Sequence, residues 1–362
     1  MQSELISELA SGLIVSRGIE TSKLIVGSGH PPLQLVTLEN SRGTRVTLCD
    51  LGASLYSIHT RDRYGHSDNI LLTYRNPQHW LDNHWYLGIT AGRVANRMGG
   101  ARFELGEETY LLPANDGENH LHGGPQGLHT KRWQVVQSES GATARSVTFR
   151  CVSEDGEGGY PGRLEIELTY RLDENDALTL DYRAVTDADT PVALTNHCYW
   201  NLAGRDGILE HELEIYADQL LQLNDQLIPT GELVSVADTP VDFRKRKKIG
   251  RDIDWWPGGY DNFWVVDAQA DKAMKPIASL VHPASGRSIK ILSSEAGVQF
   301  YSGNFLDGSR ERDDGSPIHQ HAGLCLETHG FPDAPNHDHF PSVTLKQGDE
   351  YRQTTVYQFS AG

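Results

Sequence analysis

Leu164-Glu165-Ile166-Glu167-Leu168-Thr169-Tyr170-Arg171-Leu172 places an apolar side chain at every second position. Successive side chains of an extended chain point to opposite faces, so this segment reads as a strand with one face on a core and the other in water. Asp173-Glu174-Asn175-Asp176 then supplies turn chemistry, and Leu178-Thr179-Leu180-Asp181-Tyr182-Arg183-Ala184 resumes the alternation. The two runs predict a β-hairpin. Further strand-like runs fall at residues 33–38, 45–51, 146–152, 213–217, 288–292 and 354–359. Helical periodicity is confined to a short hint at 4–9. Many short strands with turns between them, and few short helices, predict an all-β fold built as a large antiparallel β-sandwich. No Pro/Ser-rich linker, charge shift or fixed-period repeat divides the chain. A single domain is therefore expected over 26–362, with 1–25 as a possible N-terminal extension.

The 362 residues carry 32 basic against 49 acidic side chains, a formal charge of −17. That excess disfavours nucleic acid or an anionic lipid surface as partner. No run approaches the ~18 apolar residues of a membrane span, so no membrane association is expected. Met1-Gln2-Ser3-Glu4-Leu5-Ile6-Ser7-Glu8 lacks a basic region followed by an apolar stretch, so no secretory signal is expected. Cys49, Cys151, Cys198 and Cys325 are scattered without a CxxC pair. Reduced thiols in a cytoplasmic protein are the simplest reading.

Six stretches are too rich in special residues to be ordinary loops. They are Gly92-Arg93-Val94-Ala95-Asn96-Arg97-Met98-Gly99-Gly100, Asn119-His120-Leu121-His122-Gly123-Gly124, and Leu194-Thr195-Asn196-His197-Cys198-Tyr199-Trp200-Asn201-Leu202-Ala203-Gly204. Further on come Gly258-Gly259-Tyr260-Asp261-Asn262-Phe263-Trp264, Val298-Gln299-Phe300-Tyr301-Ser302-Gly303-Asn304 and Cys325-Leu326-Glu327-Thr328-His329-Gly330-Phe331-Pro332-Asp333. Hydrogen-bonding side chains beside aromatic ones suit a sugar, whose hydroxyls need donors and acceptors and whose C–H faces pack on rings.

In order and spacing these segments resemble the galactose mutarotase (aldose 1-epimerase) family. The shared patterns are GR-x-ANR, LHGG, NH-x-Y-[FW]-NLAG, GYD, QFY-x-GN and LET-x-x-FPD-x-PNH, and the resemblance runs from about residue 33 to the C-terminus. It implies a large antiparallel sandwich with the sugar in an open cleft, and a reaction that interconverts the α and β anomers of free hexoses such as galactose or glucose. It also implies Glu327 as general base and His197 as general acid, with Asn96, Arg97, His122, Asp261 and Gln299 binding substrate. Two positions depart from the pattern: Asn262 stands where the family often has His, and His329 where it often has Gln.

Exchanging anomers means opening the hemiacetal, turning about C1–C2 and closing on the other carbonyl face. One proton leaves the C1 hydroxyl and another reaches the ring oxygen, so an acid and a base on opposite sides of the C1–O5 bond suffice. No cofactor and no metal is expected. Imidazole titrates near neutrality, so His197 is expected to carry a proton, helped by an acidic setting. Arg93 and Arg244 are candidates for a phosphate on a sugar-phosphate substrate, and a disaccharide epimerase or a non-catalytic sugar-binding module are further alternatives. Gly99-Gly100 lacks the GK[ST] of a phosphate loop. His319 with His321, and His337 with His339, read as loop histidines, and 244–248 (Arg-Lys-Arg-Lys-Lys) as a solvated basic loop. The preferred sugar and the oligomeric state have no signature here.

Overall fold

The computed structural model describes residues 18–362, so the helical hint at 4–9 lies outside the described residues. The quoted hairpin forms as expected: Leu164–Asp173 pairs antiparallel with Ala177–Thr186, with Leu172 opposite Leu178 and Leu164 opposite Thr186. Leu164, Ile166, Leu168, Tyr170 and Leu172 are fully buried, while the residues between them are partly or wholly exposed. The hairpin sits inside a nine-stranded sheet. Gln134–Ser140 and Ala144–Ser153 flank it on one side, and Glu350–Ala361, Arg287–Ser293, Lys275–Val281, Glu212–Ile215 and Lys247–Lys248 on the other.

Two five-stranded sheets complete the sandwich. The first runs Ile19–Leu24, Leu33–Glu39, Arg45–Cys49, Ser54–Arg61, Ser67–Asn69. Its edge strand, Ile19–Leu24, is paired along its length with Leu33–Leu38 and buries Ile19. The second runs Pro229–Ser235, Gln219–Leu223, Asp261–Val265, Gly297–Tyr301, Cys325–His329. One apolar core joins all three sheets, bringing Ile166, Leu168 and Leu180 together with Val36, Leu48 and Ile58 and with Val298, Phe300 and Leu326. Burial of this size, at about 25 cal/mol per Å² of apolar surface, is the main force holding the layers together. Helix among the described residues is limited to 3-10 turns.

The strands Gly297–Tyr301 and Cys325–His329 position the site. Both are buried at every residue, yet they still alternate. Val298, Phe300 and Leu326 enter the core, while Gln299 and Glu327, directly opposite each other in register, face the other way. The polar side of this sheet looks into a cleft rather than into bulk water.

Candidate active site

Four structural units bring the candidate residues to one place. The first two are short strands, Arg97–Met98 and His120–Leu121, which pair antiparallel and join the 92–97 and 120–124 segments. At their ends Asn96 and His122 both take left-handed backbone conformations (φ 64° and 52°). They hydrogen-bond reciprocally: the His122 N–H donates to the Asn96 carbonyl (3.0 Å), and the Asn96 N–H donates to His122 Nδ1 (3.1 Å). Gly123, at φ 85°, lets the chain pass the Gly92 carbonyl, which a Cβ would approach to 1.8 Å. The third unit is Thr195–Asn196, paired with Thr90–Ala91; beyond it the His197 N–H donates to the Ile89 carbonyl at 2.8 Å. The fourth is the sheet carrying Asp261, Gln299 and Glu327 on adjacent strands.

All the residues singled out in the sequence, His197, Glu327, Asn96, Arg97, His122, Asp261 and Gln299, line one cleft of about 520 Å³. His197 Nε2 lies 3.6 Å from Glu327 Oε1, with both side chains nearly inaccessible. Glu327 Oε2 is buried with no hydrogen-bond partner in the protein. Gln299 Nε2 donates to Asp261 Oδ1 (2.6 Å), and Arg97 Nε donates to Asp116 Oδ2 (2.7 Å) with its Nη1 3.9 Å from Asp261 Oδ2. On the far side of the imidazole, Cys325 Sγ is 3.5 Å from His197 Nδ1. Burial pushes that thiol well above its ordinary pKa, so it stays S–H, and its sulfur can accept the Nδ1 hydrogen. With hydrogen on Nδ1, the neutral ring turns its Nε2 lone pair toward Glu327.

The charge states differ from the sequence expectation. Burial lowers the His197 pKa to about 4, and the neighbouring His329 and His129 add to the effect. Burial also raises Glu327 well above the usual carboxylate range, with Asp261 pushing in the same direction and Arg97 against it. In the free site a charged imidazolium is therefore not the resting form. The acidic neighbours do not outweigh desolvation. The nearest atoms of the pair, His197 Nε2 and Glu327 Oε1, stand 3.6 Å apart.

His122, His197 and Glu327 bring possible ligand atoms within 4.8 Å of one another, a spacing that could suit a metal ion. However, His122 Nδ1 already accepts the Asn96 N–H, so the neutral ring carries its proton on Nε2 and presents a donor, not a lone pair, at that nitrogen. Burial, with His197 and Arg97 nearby, drives the His122 pKa well below its ordinary value and keeps the ring neutral.

The match to known proteins decides the family. A model of the aldose 1-epimerase family matches residues 34–358. The chain belongs to the aldose 1-epimerase family. A galactose mutarotase from Bos taurus is 38% identical over 339 residues, covering 92% of this chain and 97% of the relative. An aldose 1-epimerase from Escherichia coli K12 is also 38% identical, covering 91% and 96%. Among solved structures, an aldose epimerase homologue from C. elegans superposes with a TM-score of 0.83 at 31% identity over 91% of this chain and 99% of its own. A galactose 1-epimerase from Lactobacillus acidophilus gives 0.83 at 26% identity, covering 96% and 100%.

The two departures from the family pattern stand outside the cleft lining. Asn262 accepts a hydrogen bond from Trp256 Nε1 (3.1 Å) on the opposite face of its strand from Asp261. His329 is fully buried against Phe263, its Nδ1 on the Gly330 carbonyl (2.6 Å) and its Nε2 without a partner. Neither Arg93 nor Arg244 faces the cleft. Arg93 is buried among carbonyls of Ser153, Glu154 and Pro161, and Arg244 pairs with Asp242. The basic loop is less solvated than its sequence suggests: Lys247 is buried, with its ammonium on Asp252 and the Pro240 carbonyl. His321 and His337 bond to backbone carbonyls, as does His339.

Sequence reading overlooked Tyr86 and Asp116, which also line the cleft. The Tyr86 ring packs against His122 (5.0 Å) and His129 (5.2 Å), and Asp116 anchors Arg97. Tyr86 lies beside Trp85 outside any of the dense motifs, and Asp116-Gly117 reads as an ordinary turn.

Proposed function

We propose that His197 and Glu327 carry the protons by which this isomerase interconverts the α and β anomers of free hexoses such as galactose or glucose. The observation that carries the assignment is the Nε2–Oε1 contact of 3.6 Å at the buried end of the cleft, beside a Glu327 oxygen that no protein group satisfies. The two oxygens on an anomeric carbon are closer together than that. An acid and a base this close can therefore each reach one of them.

Imidazolium with carboxylate, and neutral imidazole with carboxylic acid, contain the same number of protons. Burial disfavours the first form in the empty cleft. A bound sugar shifts the balance: the C1 hydroxyl donates to Glu327 Oε2, and hydrogen bonding to a carboxylate favours its charged form. Glu327 then takes the O1 proton, His197 gives its Nε2 proton to O5, and the C1–O5 bond opens to the aldehyde. That leaves carboxylic acid and neutral imidazole, the form the protein itself prefers. Rotation about C1–C2 and the reverse transfers close the ring with the other configuration. Asn96, Arg97, His122, Asp261 and Gln299 hold the hydroxyls so that the reacting atoms stay aligned.

A free sugar suits this cleft better than a sugar phosphate. Among its described lining residues Arg97 is the one Lys or Arg, and Asp116 already engages it. Asp116, Glu118, Asp225 and Asp261 would repel a phosphate dianion. The proposal involves neither nucleic acid nor membrane; no helix among the described residues is long and apolar enough to cross one. A cytoplasmic setting, which we also propose, keeps the free, buried Cys49, Cys151, Cys198 and Cys325 reduced.

Polarimetry of freshly dissolved α-galactose, α-glucose and α-glucose 6-phosphate tests the reading. Saturable acceleration of the free hexoses is expected. Fastest turnover of the phosphate, or binding without any acceleration, would overturn it.

A further inference from the structure

The basic run from Arg244 to Lys247 and the indole of Trp255 have no part in the acid–base chemistry. They line a second groove of about 800 Å³ that shares no residue with the active-site cleft. Its size falls within the ~300–1,000 Å³ of small-molecule sites. Arg244, Lys245, Arg246, Lys247 and Arg251 line it together with Asp238, Asp242 and Asp252. Two of these carboxylates are already engaged: Arg244 Nη2 lies 2.7 Å from Asp242 Oδ2, and Lys247 Nζ 2.8 Å from Asp252 Oδ2. Lys245 and Arg246 are exposed and make no ion pair among the described residues, and Arg251 approaches Asp252 only to 3.6 Å. Even with Asp238 set against these three, the groove keeps a surplus of positive charge in a chain whose overall charge is −17.

Trp255 is 78% exposed, more than any other large apolar side chain among the described residues. One exposed ring is ordinary by itself. This one stands on a fixed base beside the cations. It ends the 3-10 turn Ile253–Trp255, in which Ile253 is buried, and its N–H donates to the Asp252 carbonyl (3.1 Å). The next residue, Trp256, donates from Nε1 to Asn262 Oδ1 (3.1 Å). The basic run is anchored as well: Lys247 pairs with Leu213 in the large sheet, and its ammonium sits 4.3 Å from the centre of the buried Phe243 ring.

These two features together select one class of ligand. Inorganic phosphate would use the cations and leave the indole idle, and a nucleoside would stack on the indole and leave the cations idle. A nucleotide uses both, with its base on the aromatic face and its phosphates on Lys and Arg. A nucleic acid strand would meet the acidic excess carried by the rest of the surface. We propose that this groove is a nucleotide-binding site, in which Trp255 stacks the base and Lys245, Arg246 and Arg251 hold the phosphates. No bond is made or broken there, and hexose turnover does not depend on it.

Calorimetric titration of the intact chain with ADP, pyrophosphate, adenosine and a short oligothymidylate tests the site. The same titrations are run on Trp255→Ala and on the Lys245→Ala/Arg246→Ala double variant, with galactose mutarotation read on each preparation. ADP binds saturably at one site, and pyrophosphate, adenosine and the oligonucleotide each bind more weakly. Trp255→Ala weakens ADP about 10-fold, the order of one base-stacking contact, and leaves pyrophosphate unchanged. The double variant weakens ADP and pyrophosphate alike, by roughly 10-fold. Galactose turnover is the same in all of them. Absence of saturable ADP binding, an ADP affinity that neither variant lowers, or ADP binding that saturating galactose abolishes overturns the site. Pyrophosphate that binds as tightly as ADP with no effect of Trp255→Ala, or an oligothymidylate that binds more tightly than ADP, overturns the nucleotide assignment.

Discussion

Replacing Arg93 by Ala removes the anchor of the loop that carries Asn96 and Arg97. The Arg93 guanidinium is 2% exposed and donates to Ser153 Oγ (3.0 Å), the Ser153 carbonyl (3.1 Å), the Glu154 carbonyl (2.8 Å), the Pro161 carbonyl (2.8 Å) and Thr190 Oγ1 (3.2 Å). The bonds to Ser153 and Thr190 are buried, whereas those to Glu154 and Pro161 are partly exposed and water can replace them. At about 1.5 kcal/mol for each hydrogen bond to a charged group, the buried ones sum to about 4–5 kcal/mol. Removing a charge whose pKa burial has lowered to about 10 returns part of that. A net loss near 4 kcal/mol is expected. With an unfolding entropy of about 2.1 cal/mol/K per residue over 362 residues, the melting temperature drops by about 5 °C. The Arg93 carbonyl also accepts the Ala193 N–H (2.9 Å), so the loosened loop disturbs the wall of the cleft and kcat/KM at 25 °C falls roughly 10- to 100-fold. Urea denaturation and polarimetry on one preparation read both effects. A variant within about 1 kcal/mol of the parent would refute Arg93 as a structural anchor.

Gly123→Ala sets a Cβ 1.8 Å from the Gly92 carbonyl at φ 85°, and should cost about 3 kcal/mol or more in denaturant unfolding. Gly100→Ala, at φ 60° with open space around it, should cost only the ~1–2 kcal/mol of left-handed backbone. Equal costs would refute the close-approach argument. His329→Gln tests buried-imidazole linkage: burial holds the folded pKa at about 4, below the unfolded value of about 6.5. Between those values the unfolded chain binds the extra proton, so native stability is lost as pH falls. Going from pH 7 to 5, the native chain should lose about 2 kcal/mol more than the variant by chemical denaturation. An equal loss would show that His329 is not held neutral. Mutarotation should survive this change, because His329 lies outside the cleft lining and the family often carries Gln there.

What could be read from the residues depended on what each face touches. Leu164–Leu172 alternates between core and water, so its strand and hairpin were legible in hydropathy alone. Gly297–Tyr301 and Cys325–His329 alternate as regularly, but their polar faces are enclosed by the cleft, and Glu327 looks like any outward carboxylate until its burial is known. The candidate residues themselves came from the family resemblance, which their dense, ordered motifs carry. Their protonation was not legible there, since the fall of His197 to about 4 comes from solvent exclusion by many segments at once. Tyr86 and Asp116 escaped notice because one sits outside the dense motifs and the other within an ordinary turn, and only the fold carries them to the cleft.

The most direct test of the acid–base pair is polarimetric kcat on α-galactose for His197→Asn, Glu327→Gln and the double variant, after subtraction of the spontaneous rate. Each single change should cost ~10²–10⁴-fold, and the double should be little slower than the worse single because the two groups act in one proton exchange. A correctly folded single variant that keeps near-native turnover would contradict it.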